Sequence, residues 1–112
     1  MKDEKLYLIH IRECIERVEE YTVDGKAEFL ANRMVQDAVL RNLQLLSEST
    51  RRLSDELRRA HPGTDWAGIA GFRNVLVHDY LGVNIARVWE IIEKNLPALR
   101  EQIAAMLEES GE

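Results

Sequence analysis

The sequence predicts an all-α protein, an up-and-down bundle of four or five helices. Three observations carry that prediction. Apolar residues recur at three- and four-residue steps through most of the chain, the period of helices with one buried face. No segment alternates apolar and polar residues, so no strand is expected. Turn chemistry is confined to Thr22-Val23-Asp24-Gly25, His61-Pro62-Gly63 and Tyr80-Leu81-Gly82-Val83-Asn84.

In the first element, Leu8, Ile11, Ile15 and Val18 form a stripe, with Cys14 and Tyr21 beside it and Glu13, Glu16, Arg17 and Glu20 opposite. This is an amphipathic helix of roughly 18–20 residues. Asp24 is expected to cap the next helix. That helix reads as one run from about Lys26 to Ala60, buried along Leu30, Val35, Ala38, Leu45, Leu46, Leu53 and Leu57. At this length a kink near Phe29–Asn32 is an open alternative. Pro62 ends the run, because it lacks a donor and restricts the residue before it. Asp65 caps a short helix to about Val77, with Trp66, Ile69, Ala70 and Val77 as core contacts. Gly68 and Gly71 within it each cost about 1 kcal/mol against Ala. That cost points to close approach by another helix, or by the same helix of a second protomer. Asn84 caps the last segment, whose stripe is Ile85, Val88, Trp89, Ile92, Leu96, Leu99, Ile103 and Leu107. Pro97 is expected to kink it or to start a new helix.

The 112 residues suit one domain, taken as 1–112. Apolar residues at 46% and charged residues at 31% place the chain among soluble globular proteins and not disordered ones. A net charge of −5 excludes a broadly basic nucleic-acid binder but not a local basic site. Residues 1–22 net −2 and residues 89–112 net −4, while 23–63 net +1 and 64–88 are neutral. The acidity therefore lies at the two ends. The middle holds Arg51, Arg52, Arg58 and Arg59, which read either as a solvated helix face with Asp55 and Glu56 or as a phosphate-contacting patch. Apolar runs are too short to span a membrane, and the charged start Met1-Lys2-Asp3-Glu4-Lys5 has no apolar stretch behind it. The single cysteine, Cys14, excludes an internal disulfide framework and a multi-cysteine zinc site. A cytoplasmic protein is expected.

Chemistry concentrates in Phe72-Arg73-Asn74-Val75-Leu76-Val77-His78-Asp79-Tyr80. On a continuous helix Asn74 and His78 share a face, whereas Arg73 and His78 stand about 140° apart. They reach one small group only if the helix ends between them or the site is built across a symmetric interface. Cleaving RNA requires a base for the 2′-hydroxyl, an acid for the leaving 5′-oxygen and positive charge on the transition state. His78 suits proton transfer near neutral pH. Arg73 supplies fixed charge and paired donors to phosphoryl oxygens. Asn74 is placed to hold the imidazole or a phosphate oxygen, and Tyr80 to donate to phosphate or stack on a base. No metal cluster and no cofactor motif is evident. The competing structural reading is a histidine at a helix end and Arg73 paired with Asp79 or Glu90.

The pattern Trp66-x-x-Ile69-Ala70-Gly71-x-Arg73-Asn74-x-x-x-His78-x-Tyr80-x-Gly82-Val83, followed by Val88-Trp89, resembles the HEPN domains, and most of all their HepT-like branch. The resemblance runs over nearly the whole chain. It implies a HEPN-like bundle and a homodimeric, metal-independent endoribonuclease without cofactors. It also implies the toxin of a type VII toxin–antitoxin pair, whose antitoxin is a minimal, MntA-like nucleotidyltransferase that transfers AMP to the motif tyrosine. On this chain Arg73 and His78 would be catalytic, Asn74 supporting, and Tyr80 both supporting and the AMPylation site. The two motif copies would meet in a cleft at the dimer interface. Where relatives carry a small Gly-Glu-Ala patch, this chain reads Leu46-Ser47-Glu48-Ser49, taken as a packing variation. The alternative is a non-catalytic HEPN-like subunit of a nucleotidyltransferase, binding its substrate or nucleotide. Elsewhere, His10 is expected on the surface, His61 at a helix end and Cys14 in the core. Trp66 and Trp89 are expected to be core or dimer anchors, and the tail Glu108-Glu109-Ser110-Gly111-Glu112 frayed.

Overall fold

The structure is a computed structural model that describes residues 2–77 and 84–111, with side chains for all of these except 2, 3 and 73–77. It is all-α. The helices are α1 (Lys2–Tyr21), α2 (Lys26–Ala31), α3 (Arg33–Arg51), α4 (Asp55–Ala60), α5 (Trp66–Val77), α6 (Ile85–Glu90) and α7 (Leu96–Glu109). A π-helical turn, Ile91–Asn95, joins α6 to α7, so these form one long run. No strand occurs among the described residues. Four long helical runs thus make the bundle, with α2 and α4 as short additions.

The central pair is α1 against α3; α7 lies along α1, α5 lies on α3, and α2 touches both α3 and α6. The expected stripe of α1 is confirmed: Leu8, Ile11, Cys14, Ile15 and Val18 are all buried. So is the stripe of the last run, with Val88, Trp89, Ile92, Leu96, Leu99, Ile103 and Leu107 in the core and Ile85 partly buried against it.

The run 26–60 departs from the single helix expected. Asn32 breaks it in an extended conformation, and its side-chain oxygen accepts from the Val35 amide to cap α3. The break falls within the 29–32 stretch where a kink is the alternative to a single helix. A second, unexpected break follows Arg51: Ser54 is extended and accepts from the Leu57 amide to cap α4. The break is fastened from outside, because the Ser54 amide donates to Glu4 of α1 at 2.6 Å. That bond, with the Ser54 hydroxyl second, holds the Glu4 carboxyl below the usual glutamate range. The phase of the stripe shifts with the breaks. Leu46 and Leu53 are buried as expected, but Leu30 is exposed, Val35, Ala38, Leu45 and Leu57 are half-buried, and Val39 and Leu43 hold the core instead.

Asp24 does not cap α2. Gly25 stands at that position with φ +92°, a conformation glycine adopts without strain, and no side chain caps the helix. Pro97 lies in the first turn of α7, and the π turn immediately precedes it. Across that turn the Leu96 amide donates to the Ile91 carbonyl, five residues back.

Candidate functional site

The motif is carried by α5 and the connection that follows. Asp65 caps α5 as expected, its Oδ1 accepting from the Gly68 amide at 2.9 Å. Ile69 and Phe72 are buried and hold α5 against the core, and the Ser47 hydroxyl of α3 donates to the Ile69 carbonyl at 3.5 Å. Ala70, expected in the core, is exposed, and Trp66 is half-buried with its indole N–H shared between the Arg58 and His61 carbonyls. Phe72 was not foreseen as core, although it follows Ile69 by three residues.

Arg73 and Asn74 are consecutive positions of α5, following Phe72 by about 100° and 200° around the helix axis. His78 and Tyr80 lie outside the described residues, as do Asp79 and the side chain of Val77. On the far side of that connection Asn84 caps α6 as expected, accepting from the Arg87 amide at 3.1 Å. Trp89 then anchors α6, its ring 5.4 Å from that of Phe29 on α2. The motif segment is therefore held at both ends: by Ile69 and Phe72 before it, and by Val88 and Trp89 after it. The Trp89 indole nitrogen is buried with no hydrogen-bond partner among the described residues.

The two glycines of α5 differ. A Cβ on Gly68 would collide with the Asp65 carboxylate, so that glycine serves the cap and not an approaching helix. A Cβ on Gly71 would meet nothing within 4 Å. Among the described residues no other helix of the chain comes within that distance of it.

The arginine cluster divides. Arg58 pairs with Asp55 at 2.9 Å, as the solvated-face reading holds. Arg51 and Arg52 are exposed and, with Glu48, line a shallow cleft at the end of α3. The Arg52 guanidinium lies 5.9 Å from the centre of the Tyr7 ring. In the Leu46–Ser49 departure, Leu46, Ser47 and Ser49 are buried and Glu48 is exposed, which is a packing role.

Two histidines bind distant helices. His10 is not a free surface residue: its Nδ1 lies 2.7 Å from the Ser49 hydroxyl and ties α1 to α3. His61 ends α4 as expected, its Nδ1 3.0 Å from the Leu57 carbonyl and its Nε2 3.0 Å from Glu109 Oε1. Both partners are acceptors, so the protonated imidazole, with two N–H donors, satisfies both contacts at once. The Leu57 carbonyl raises its pKa, burial opposes this, and Glu109 raises it further. The acidic tail is thus fastened at Glu109 and not wholly frayed. Cys14 is fully buried, and desolvation pushes its thiol pKa up. Among the described residues no helix is long and apolar enough to cross a membrane.

The described helices form an all-α bundle consistent with a HEPN-like domain. The chain belongs to the HepT-like ribonuclease family, whose model matches residues 11–106. It is 38% identical over 109 residues to a Methanocaldococcus jannaschii protein named "Gamma-glutamylcyclotransferase and putative RNase". That match covers 96% of this chain and 49% of the relative, so the chain spans about half the length of that protein. A "Putative RNase" of Caldanaerobacter subterraneus subsp. tengcongensis is 36% identical, with 96% of this chain and 97% of the relative covered. A "Probable ribonuclease HepT" of Thermococcus cleftensis is 33% identical, with 88% and 91% covered. No solved structure matches the chain significantly.

Proposed function

We propose that this chain is a metal-independent endoribonuclease and the toxin of a toxin–antitoxin pair, acting as one cytoplasmic HEPN-like domain over 1–112. The observation that carries the reading is the HepT-like match over residues 11–106, which spans the whole set Arg73, Asn74, His78 and Tyr80. His78 takes the proton of a ribose 2′-hydroxyl. The freed oxygen attacks the adjacent phosphorus, the P–O5′ bond breaks, and the 5′-oxygen leaves with a proton. A 2′,3′-cyclic phosphate and a 5′-hydroxyl result. Arg73 stabilises the charge that builds on the phosphoryl oxygens. Asn74 orients the imidazole or a phosphate oxygen. A homodimer brings two motif copies into one cleft, so that one His78 serves as base and the other as acid. That reading is supported by Gly71, where a Cβ would meet nothing within 4 Å among the described residues.

An MntA-like nucleotidyltransferase is the proposed antitoxin. It would transfer AMP to the Tyr80 hydroxyl, with pyrophosphate leaving from ATP. The adduct adds bulk and negative charge two residues from His78 and repels RNA phosphates. Expression of the chain alone should arrest growth, and Arg73→Ala or His78→Ala should relieve the arrest. Mass spectrometry of the protein co-expressed with its antitoxin should place the AMP on Tyr80. An adduct on Tyr7 or Tyr21 instead would refute that assignment.

A further inference from the structure

Between α5 and the π turn with α7 lies a groove of about 210 Å³. Its floor is apolar, made by the buried Ile69 and Phe72 from α5 and Leu99 from α7, with the exposed Ala98 at its edge. Its rim is polar, with Asp65, Lys94, Asn95 and Gln102. Most of these groups are assigned by the fold. Asp65 caps α5, and the Gln102 amide donates to the Gly63 carbonyl at 3.1 Å, leaving its own oxygen open. The Asn95 side chain makes no hydrogen bond among the described residues and caps no helix. Lys94 is exposed and, among the described residues, makes only a loose contact with Glu90 at 3.9 Å.

The groove has a direction. Gln102 is fastened to Gly63 at one end, where Asp65 supplies negative charge. Lys94 and Asn95 precede Gln102 by eight and seven residues, about 11 Å along the helical run. They mark the other end, toward which α5 runs and where Phe72 precedes Arg73. A phosphate is thus repelled at the Asp65 end and attracted at the Lys94 end, beside the motif.

We infer that this groove binds a nucleobase of single-stranded RNA next to the scissile linkage. The inference rests on the ribonuclease reading and deepens it. The volume is below the roughly 300 Å³ at which drug-sized pockets begin, so it suits one planar ring system. Single-stranded RNA is read through bases splayed onto apolar surfaces with their edges hydrogen-bonded. Asn95 offers a donor and an acceptor side by side, Gln102 offers its free oxygen, and Lys94 holds the attached phosphate. The groove therefore makes the cut depend on the identity of one neighbouring base.

The test uses the full-length isotope-labelled protein and the four nucleoside 5′-monophosphates as probes, with side-chain amide resonances of Asn95 and Gln102 as readout. At least one nucleotide should shift both, and Ala98→Leu, which fills the groove from an exposed helical position, should abolish the shifts. Shifts reproduced by inorganic phosphate alone, or shifts with none of the four nucleotides, overturn the inference. So do shifts that depend on protein concentration and not on nucleotide, because a second copy would then cover the groove. In cleavage of single-stranded RNA, Asn95→Leu and Ala98→Leu should lower kcat/KM about tenfold or more and relax the base preference at one position beside the cut. If the unsubstituted protein and both variants cut the same sites at equal rates, the groove is idle while the ribonuclease reading stands. If the unsubstituted protein does not cut, the ribonuclease reading fails, and the nucleotide shifts decide the groove by themselves.

Discussion

Phe29→Ala should be among the most damaging single changes in this chain. Phe29 sits on the six-residue α2 yet is 1% exposed, and its ring meets Trp89 on α6 with centroids 5.4 Å apart. A buried phenyl removes about 150 Å² or more from water, and at about 25 cal/mol per Å² that is worth about 4 kcal/mol. Measured Phe→Ala losses in cores, about 3–5 kcal/mol, agree with that figure. For a chain of this length the loss corresponds to a Tm lowered by about 12–20 °C. Urea unfolding followed by circular dichroism measures it, with Met34→Ala as control, since Met34 is 82% exposed and should shift stability by less than about 0.5 kcal/mol. A loss under about 1 kcal/mol for Phe29→Ala would show that α2 is not docked on α6. The consequence reaches the motif, because α6 carries the chain onward from the segment that holds His78 and Tyr80. A Phe29 variant still folded at low temperature should therefore lose ribonuclease activity before it loses helix content.

Other outcomes follow from single contacts. His61 has a raised folded pKa, so its stabilisation is full below its ordinary value near 6.5 and is lost as pH rises through the raised value. Glu109→Gln should weaken that dependence in pH-series melts only in part, because the Leu57 carbonyl, the larger cause, remains; an unchanged profile would mean the Glu109 contact does not form. Glu4 behaves oppositely: its stabilisation is present above the usual glutamate range and is lost as pH falls through its depressed value, a loss Glu4→Gln should abolish. Gly71→Ala should stabilise the isolated chain by about 0.5–1 kcal/mol in urea melts, because its Cβ meets nothing, whereas Gly68→Ala displaces the Asp65 cap and forfeits that gain. Cys14 should resist thiol reagents in the native protein and react at the rate of global unfolding; rapid labelling would contradict its burial.

Much of this fold was legible because its signals are local. The stripes of α1 and of the last run, the Asp65 and Asn84 caps and the role of Pro97 each depend on residues within a few positions of one another. The run 26–60 misled because Asn32 and Ser54 are tolerated inside helices as well as at their starts. Read as one helix, it carries a single phase past two breaks, and that phase exchanges Leu30 and Leu45 for Val39 and Leu43. The second break also depends on Glu4, fifty residues earlier in the chain, as no local pattern reveals. His10 with Ser49 and His61 with Glu109 are likewise pairings across 39 and 48 residues. Of the motif, the sequence supplied residue types and spacing, and the fold adds how both ends of the segment are anchored. The groove beside it was invisible in sequence, since Asn95 and Gln102 belong to ordinary polar positions of an amphipathic run until α5 is laid against them.

The proposed function has Arg73 and His78 cleave RNA without a metal. Its most direct test is cleavage of total RNA by the purified protein in the presence of a chelator, beside Arg73→Ala and His78→Ala. The unsubstituted protein should cleave and leave 2′,3′-cyclic phosphate ends on the products, and His78→Ala should lose at least about a hundredfold in rate. Equal cutting by the unsubstituted protein and His78→Ala would contradict it.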